Sequence, residues 1–361
     1  MPERTAVVVG GGPAGCAAAV GLAAAGVGVT LLERGPGLGG KARGYACKAT
    51  DACRKCHVCL GLEQARKVAE DPRITVLVNA DIERMVAAGD GYRLTVSSGG
   101  SAAVHGRPGA SRLVAPAGED GTLRELAAAA VIIATGHAAF AAGAKPALSW
   151  GRLPGVMTTA ELELALQGGA LASAAVGFTP RDVAFIQCVG SRDEEHEYCS
   201  RACCMVSLRL AALLMHQSPG TKLTIYHMDF QRQGKAAAAE VARLEAAGLR
   251  LVRAMPSRVW AAGGALHVRC EASQPWDPVQ HDLVVLAVGM GPQAQTLPLG
   301  LPVDDAGFLT LGEDEASRGL FAAGTCAQPS DIAEAVAGGH EAALKALVYL
   351  SGRGGDVRWV C

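Results

Sequence analysis

The pattern that most restricts this chain begins at its fifth residue. Thr5–Val9 is a short β-branched run, followed at once by "GGGPAG" and an alanine-rich stretch, 16–25, that reads as a helix. Gly26 stops the helix, and "VGVTLLE" (27–33) reads as a second strand ending on Glu33. This is a βαβ unit with Gly10, Gly12 and Gly15 at its turn. The first glycine permits the tight turn, the second lets the backbone approach a pyrophosphate, and the third lets helix and strand pack closely. The helix N-terminus then faces the anion. Glu33 falls eighteen residues after Gly15, where a carboxylate can take a ribose hydroxyl. A glycine turn alone is a weak signal; strand, helix and acidic residue together make a strong one.

The rest of the chain continues as α/β. A glycine-rich loop, "GPGLGG" (35–40), follows the second strand. Residues 61–69 read as a helix and 74–78 as a strand; 80–125 alternate short apolar runs with turn residues, as a β-meander does. "AAAVIIATG" (128–136) is a buried strand ending in a turn, and 159–175 are helical. "DVAFIQCVGS" (182–191) opens a second strand–turn–helix, carried on by "MVSLRLAALLMHQ" (205–217) and the strand "KLTIYHMDF" (222–230). Residues 281–290 are another buried strand. Residues 319–350 are a strand, a glycine turn and a long closing helix, and 351–361 a loose tail. Two similar α/β halves are expected within the 361 residues. The net charge of −1 gives no reason to expect nucleic acid or anionic membrane as partner. The start shows no signal peptide, and the apolar stretch 17–32 is short and broken by Gly21, Gly26 and Gly28, so a cytoplasmic protein without a membrane span is expected.

Eight of twelve cysteines fall in two groups. In a reducing compartment such groups point to metal more than to disulfides. "CVGSRDEEHEYCSRACC" (188–204) holds Cys188, Cys199, Cys203 and Cys204. Ten residues separate Cys188 from Cys199, enough to fold back. Cys199 and Cys203 share a face if helical, and Cys203 and Cys204 can both bend to one site at a frayed helix start. Thiolates suit iron–sulfur clusters and zinc, and this spacing suits a [4Fe–4S] cube better than a zinc knuckle. The second group, Cys47, Cys53, Cys56 and Cys59, is spaced C-x5-C-x2-C-x2-C, whose last part is ferredoxin-like. A second iron–sulfur cluster is the preferred reading there, with zinc its rival. His57 reads as a surface residue or one that supports the ligands from behind. Lys48, Arg54 and Lys55 read as a solvated face or as cations offsetting the cluster's charge. Cys16 reads as packing, Cys270 and Cys361 as isolated, and Cys326 as a residue following the late glycine turn.

Two segments resemble those of two-domain flavoprotein reductases. "AGTCAQPSDIAEAVAGG" (323–339) resembles their second flavin motif, and "ATG" (134–136) their strand-end motif. The resemblance implies a thioredoxin reductase-like flavoprotein: two Rossmann-type domains, the second inserted in the first. The implied boundaries are an FAD-binding domain at 1–158, an inserted module at 159–290, and a return to the FAD domain at 291–361. The implied FAD contacts are Gly10, Gly12, Pro13, Ala14, Gly15, Glu33, Arg34, Gly39, Gly40, Lys41, Ala134, Thr135, Gly136, Gly324, Thr325, Asp331 and Ile332. In such enzymes the inserted domain repeats the fingerprint and binds NAD(P)H. Here only Gly190 survives of it, and Asp193, Glu194, Glu195 and Glu197 would repel a phosphate. The cysteines occupy that turn instead.

"CVGSRD…YCSRACC", "YHMDFQRQGK" (226–235) and "AAGTCAQPSDIAEAVAGG" (322–339) together resemble the A-type subunit of heterodisulfide reductase, in the short form found in heterodisulfide reductase-like complexes of sulfur-oxidising microbes. That family carries Gly-Thr, as at Gly324-Thr325, where generic reductases carry Gly-Asp. The resemblance implies FAD, a [4Fe–4S] cluster on Cys188, Cys199, Cys203 and Cys204, B- and C-type partner subunits, a homodimeric core, and a sulfur substrate for which a lipoate-bearing carrier protein is one candidate. Two rival readings remain at this point: an NAD(P)H-dependent disulfide reductase, and a zinc-stapled flavoprotein scaffold or redox sensor.

Overall fold

The computed structural model describes residues 5–45, 53, 56–98, 122–167, 179–232, 237–271, 278–293 and 299–352. The chain divides into two compact units: Met1–Arg43, His57–Ala138 and Gly291–Cys361 form one, Gly44–Cys56 and Ala139–Met290 the other.

In the first unit, β1 (Thr5–Val9), α1 (Pro13–Ala24) and β2 (Gly28–Glu33) form the βαβ motif. The helix starts at Pro13, ahead of the expected residue 16. Proline suits the first helical turn because its missing N–H would be unpaired there anyway. After α2 (Val58–Glu70) and β3 (Ile74–Val78), the antiparallel meander comprises β4 (Ala80–Ala88), β5 (Gly91–Ser98) and β6 (Thr122–Ala128). Residues 99–121, counted with the meander in the sequence, lie outside the described residues. Strand β7 (Ala130–Ile133) returns to the sheet beside β1, and β8 (His137–Ala139) leads out of the unit.

The second unit repeats the plan. β9 (Val156–Thr158) and α3 (Thr159–Gln167) come first, then β10 (Asp182–Val189), α4 (Cys203–Gln217), β11 (Lys222–His227), α5 (Ala237–Ala246) and β12 (Leu249–Arg253). The rest of the expected helix to 175 lies outside the described residues. An antiparallel insert of β13 (Met255–Ala262), β14 (Ala265–Glu271) and β15 (Val279–His281) precedes β16 (Leu283–Val288), and β17 (Met290–Pro292) leads back. Then α6 (Glu313–Ser317), β18 (Leu320–Ala322), a 3-10 turn (Gly324–Cys326) and α7 (Ile332–Ser351) complete the first unit. The tail beyond 352 is outside the described residues.

The two parallel sheets have matching orders, β18-β7-β1-β2-β3 and β9-β16-β10-β11-β12. From β1 in the first unit and from β10 in the second, the chain runs strand, helix, strand, helix, strand, three-stranded insert, then a fourth strand beside the one it started from. The two similar halves expected from the sequence are therefore present. The main segment of the second unit begins at Ala139, ahead of the expected residue 159: Phe140 N–H donates to the Gly289 carbonyl at 2.9 Å, and the short β9 pairs with β16 through Val156 and Val284.

Alternation along β1 sorts the first core: Ala6 and Val8 pack on the helical side, Val7 and Val9 on the meander side. Each fully buried Val, Leu or Ile contributes about 1.5–3 kcal/mol. The α1–α7 contact is closer than side chains of ordinary size allow. A Cβ on Gly339 would stand 2.2 Å from the Ala14 carbonyl oxygen and 2.9 Å from Ala17 Cβ. Backbone meets backbone there, which fixes α7 against the glycine turn of α1.

Candidate functional site

The three glycines of the first turn do different work. A Cβ on Gly10 would lie 2.3 Å from the Ala134 carbonyl oxygen, and one on Gly15 would lie 1.8 Å from the Gly10 carbonyl oxygen. Both positions are closed by packing. A Cβ on Gly12 would meet nothing within 4 Å. Gly12 is thus the residue whose backbone faces open space at the N-terminus of α1, as a pyrophosphate seat requires. Gly40, at φ +52, brings its loop within 3.0 Å of the Gly12 Cα, measured from the Cβ it lacks. The loop is tied down by Gly39 N–H donating to the Gly11 carbonyl at 2.8 Å. Glu33 accepts from the N–H of Gly11 at 2.7 Å and of Gly35 at 2.6 Å, so its carboxylate stands at the glycine turn.

The late turn is interlocked with the strand-end motif. Cys326 is fully buried and its thiol donates to the Ile133 carbonyl at 3.3 Å. Gln293, with its amide oriented to satisfy both ends, donates to the Thr135 carbonyl and accepts from Arg34, each at 3.2 Å. Thr325 Oγ1 lies 3.1 Å from His137 Nδ1. Burial, and then the positive charge of Lys41, push the His137 imidazole down to about 4, so it is neutral at ordinary pH. Asp331 caps α7: it accepts from Glu334 N–H at 2.8 Å, and Glu334 accepts from Asp331 N–H at 3.0 Å. Ile332 packs towards Gly61 of α2, its Cγ2 3.3 Å from where a Cβ would be. Ser330 is buried with a hydroxyl that has no partner. Open backbone at Gly12, a placed acid at Glu33 and an unpaired hydroxyl ahead of α7 fit a flavin dinucleotide. His137 was missed in the sequence, although it directly follows the "ATG" motif.

In the second unit, Cys188 stands at a β-bulge. The β10–β16 register shifts between Ile186 and Val189, and Cys188 takes φ 59. Cys199 lies in the loop before α4, not on a helix as its spacing from Cys203 predicted; α4 begins only at Cys203. Arg201, at φ 58, turns the chain, and its N–H donates to Cys199 Sγ at 3.3 Å. Cys203 and Cys204 open α4, as expected. Burial and then the Cys204, Cys188 and Cys199 thiols push Cys203 up to about 12. Burial, with the Cys188 and Cys199 thiols, pushes Cys204 up to about 11. Burial also raises Cys188, opposed by Arg192. Among the described residues, no three of these thiols have sulfurs within 4.8 Å of one another.

Two further observations bear on what the thiols hold. Gln187 is fully buried with both amide atoms unpaired, and Ser207, one turn on from Cys203, is fully buried with an unpaired hydroxyl. Orphaned polar groups of this kind are costly unless a ligand completes them. Backbone strain also concentrates here. Of the six described non-glycine residues at positive φ, Cys188, Arg192 and Arg201 lie in this loop and His57 lies between Cys56 and Cys59. Each such residue costs about 1–3 kcal/mol and persists only where its surroundings hold it.

The loop 190–200 is held in one shape. Asp193 accepts from His196 N–H at 2.8 Å, Lys145 bridges Asp193 and Glu195 at 3.0 and 3.3 Å, and Tyr198 donates to the Met290 carbonyl at 2.8 Å. Asp193, Glu195 and His196 bring ligand atoms within 4.8 Å of one another, and both carboxylates are already bridged by Lys145. Gly190 is kept for a packing reason: a Cβ there would stand 2.0 Å from the Phe140 ring. That ring is also edge-on to His196 at 5.6 Å. An aromatic side chain thus fills the space beside the one remaining glycine. In the other group, Cys47 lies outside the described residues. Cys53 and Cys59 are exposed and Cys56 half-buried. Cys16 is buried, donates to the Gly11 carbonyl at 3.2 Å and is pushed up to about 12 by burial, which is packing, as expected.

These features define a class, the thioredoxin reductase type of two-domain flavoprotein fold. Residues 8–79 match the NAD(P)-binding Rossmann-like domain family. Thioredoxin reductase of Lactococcus lactis aligns over 97% of this chain and 100% of its own, with TM-score 0.61 and 18% identity. That of T. acidophilum aligns over 98% and 100%, with TM-score 0.58 and 17% identity. Within the class, the particular likeness is to the A-type subunit of heterodisulfide reductase. That of the ferredoxin:CoB-CoM heterodisulfide reductase of Methanosarcina mazei is 27% identical over 96% of this chain and 53% of its own length. The second A-type iron-sulfur subunit of the CoB--CoM heterodisulfide reductase of Methanopyrus kandleri is 34% identical over 62% of this chain and 37% of its own. The chain spans about half the length of the first of these relatives and less of the second. Among the described residues no helix is long and apolar enough to cross a membrane.

Proposed function

We propose that this chain is an FAD- and iron–sulfur-containing oxidoreductase subunit of a heterodisulfide reductase-like complex in sulfur metabolism. When bound, FAD supplies two-electron chemistry and an iron–sulfur cluster one-electron steps, so a protein holding both converts between them. Gly12 and the α1 N-terminus bind the pyrophosphate, Glu33 the ribose, and the turns at Ala134–Gly136 and Gly324–Cys326 orient the flavin. His137, neutral and held by Thr325, positions the latter turn. Cys188, Cys199, Cys203 and Cys204 hold a [4Fe–4S] cluster; Cys47, Cys53, Cys56 and Cys59 hold a second. The partners are B- and C-type subunits around a homodimeric core, with a lipoate-bearing carrier protein as a candidate sulfur substrate.

The observation that carries this reading is that Cys188, Cys199, Cys203 and Cys204 all fall between the end of β10 and the first turn of α4, the turn where a related fold would seat NAD(P)H. Phe140 against Gly190 and the carboxylates of the loop support it from the other side, by leaving poor room and poor charge for a dinucleotide. The test is iron, sulfide and zinc analysis of anaerobically purified protein, with stopped-flow mixing against NADH. Four or more irons with matching sulfide per chain, and flavin that NADH does not bleach at a catalytic rate, are expected. Stoichiometric zinc without iron, or rapid bleaching by NADH, overturns the reading.

A further inference from the structure

Cys199 is the one thiol of its group that lies on neither a strand nor a helix. Its place is nonetheless fixed from both sides by a single residue, Met290. The Tyr198 hydroxyl donates to the Met290 carbonyl at 2.8 Å, and Ser200 Oγ accepts from the Met290 N–H at 2.9 Å. The residues before and after Cys199 thus take both backbone polar groups of Met290. Gly289, just ahead of it, is tied down in turn: it donates to the Val189 carbonyl at 2.8 Å and accepts from Phe140 N–H at 2.9 Å. A Cβ on Gly289 would stand 2.9 Å from Ser200 Oγ and 2.7 Å from the Gly190 carbonyl oxygen, so only glycine lets Ser200 come this close. Ser200 is 1% exposed, so its bond to Met290 is shielded from water. The Tyr198 carbonyl accepts from Arg192 N–H at 3.1 Å, which holds the other end of that residue. Beyond Ser200 the chain turns at Arg201, φ 58, and the Arg201 N–H donates to Cys199 Sγ at 3.3 Å.

We propose that Tyr198 and Ser200 are positioning residues which, by gripping both polar groups of Met290, hold Cys199 in place as a ligand and keep its sulfur under the Arg201 N–H. This rests on the iron–sulfur reading of Cys188, Cys199, Cys203 and Cys204. The bonds to Met290 are made between protein groups, so the ordering of this loop belongs to folding and not to metal binding. More of the binding free energy is then left for affinity. Hydrogen bonds made behind a ligand orient it and are worth about 10–100-fold in metal affinity. A donor to a ligand sulfur also stabilises the reduced, more anionic cluster over the oxidised one and raises its potential. Tyr198 and Ser200 act through Cys199 and touch no substrate.

The experiment uses the full chain, purified anaerobically, as wild type, Tyr198→Phe, Ser200→Ala and Tyr226→Phe. Iron release to excess chelator is timed, and the cluster potential is read by redox titration with electron paramagnetic resonance. Tyr198→Phe keeps the ring edge-on to His196 at 6.0 Å and loses only the hydroxyl. Tyr198→Phe and Ser200→Ala are each expected to release iron about tenfold faster. Both are expected to titrate at a lower potential, because a looser Cys199 accepts a weaker bond from the Arg201 N–H. Tyr226→Phe is the control: it removes a buried hydroxyl 3.0 Å from His281 Nε2 in the same unit and should leave both readouts at the wild-type level. Equal acceleration in all three variants would be a general loosening of the unit and overturns the proposal. Faster release at an unmoved potential, a structural role only, overturns it too, as do Tyr198→Phe and Ser200→Ala proteins that behave as wild type. If Ser200→Ala fails to fold or to load iron, Tyr198→Phe decides alone by the same two readouts. Wild-type protein without iron would instead sink the function proposed above, so the two failures are distinct.

Discussion

His137 shows how much of this protein is decided by single side chains. It follows Gly136 at the end of the strand, lies beside Thr325 at 3.1 Å, and is kept neutral by burial and by Lys41. Its ordinary value of 6.5 falls to about 4 in the fold. Between those values the unfolded chain binds a proton that the folded chain refuses, so stability rises with pH across that window. The contribution is complete above pH 6.5 and lost as pH falls towards 4, by about 3 kcal/mol in total. His137→Gln keeps a polar side chain and removes the titration. Unfolding free energies from urea melts at pH 7.5 and 4.5 are expected to differ by about 2.5 kcal/mol more in wild type than in the variant; equal acid sensitivity would refute it. At this scale the sequence was partly legible. It named Gly10, Gly12 and Gly15, because spacing alone marks them. Ser200 carried no signal, because its partner Met290 is 90 residues away in sequence and only the folded loop joins them.

At the scale of elements, α7 illustrates a second division between what pattern and packing reveal. Its N-terminal "SDIAE" reads as a cap, and Asp331 with Glu334 forms one. The glycine pair within it was read together with the flavin motif, but Gly339 is required by the crossing with α1. Gly339→Val is expected to destabilise by about 3 kcal/mol or more, the upper range for overpacking, since Val would collide with the Ala14 backbone. Gly338→Ala meets only the Gly324 nitrogen, at 3.6 Å, and should leave the thermal midpoint nearly unchanged. Melting curves of the two variants check this directly; a tolerated Gly339→Val would show that α7 is free to move off α1. The insert β13–β15 was not read from the sequence. Pro256 and Ser257 interrupt the alternation, and its pairing depends on partners supplied by the fold.

For the whole molecule, the repeated strand–turn–helix pattern was legible at both 5–33 and 182–230, and the sheets have the same order. The start of the second unit was not legible, because β9 is only three residues long and holds its place by pairing with β16. The glycine turn belongs to one unit and the Cys188–Cys204 site to the other. On the proposed assignment, FAD and the cluster on Cys188, Cys199, Cys203 and Cys204 belong to different units and should load separately. Gly12→Ala introduces a methyl group that meets no protein atom within 4 Å, at an ordinary φ of −75, so the apoprotein should fold normally. The methyl would stand where the backbone must approach a pyrophosphate, so FAD affinity is expected to fall at least tenfold while iron content stays at the wild-type level. Cys199→Ser removes one soft ligand from a loop whose other contacts remain, and should lose the iron signal of this cluster while binding FAD as before. Flavin absorbance and iron analysis of the same two preparations read both outcomes. Loss of both cofactors from either variant would mean that one core cannot be completed without the other, and the two-unit description would have to give way to a single cooperative body.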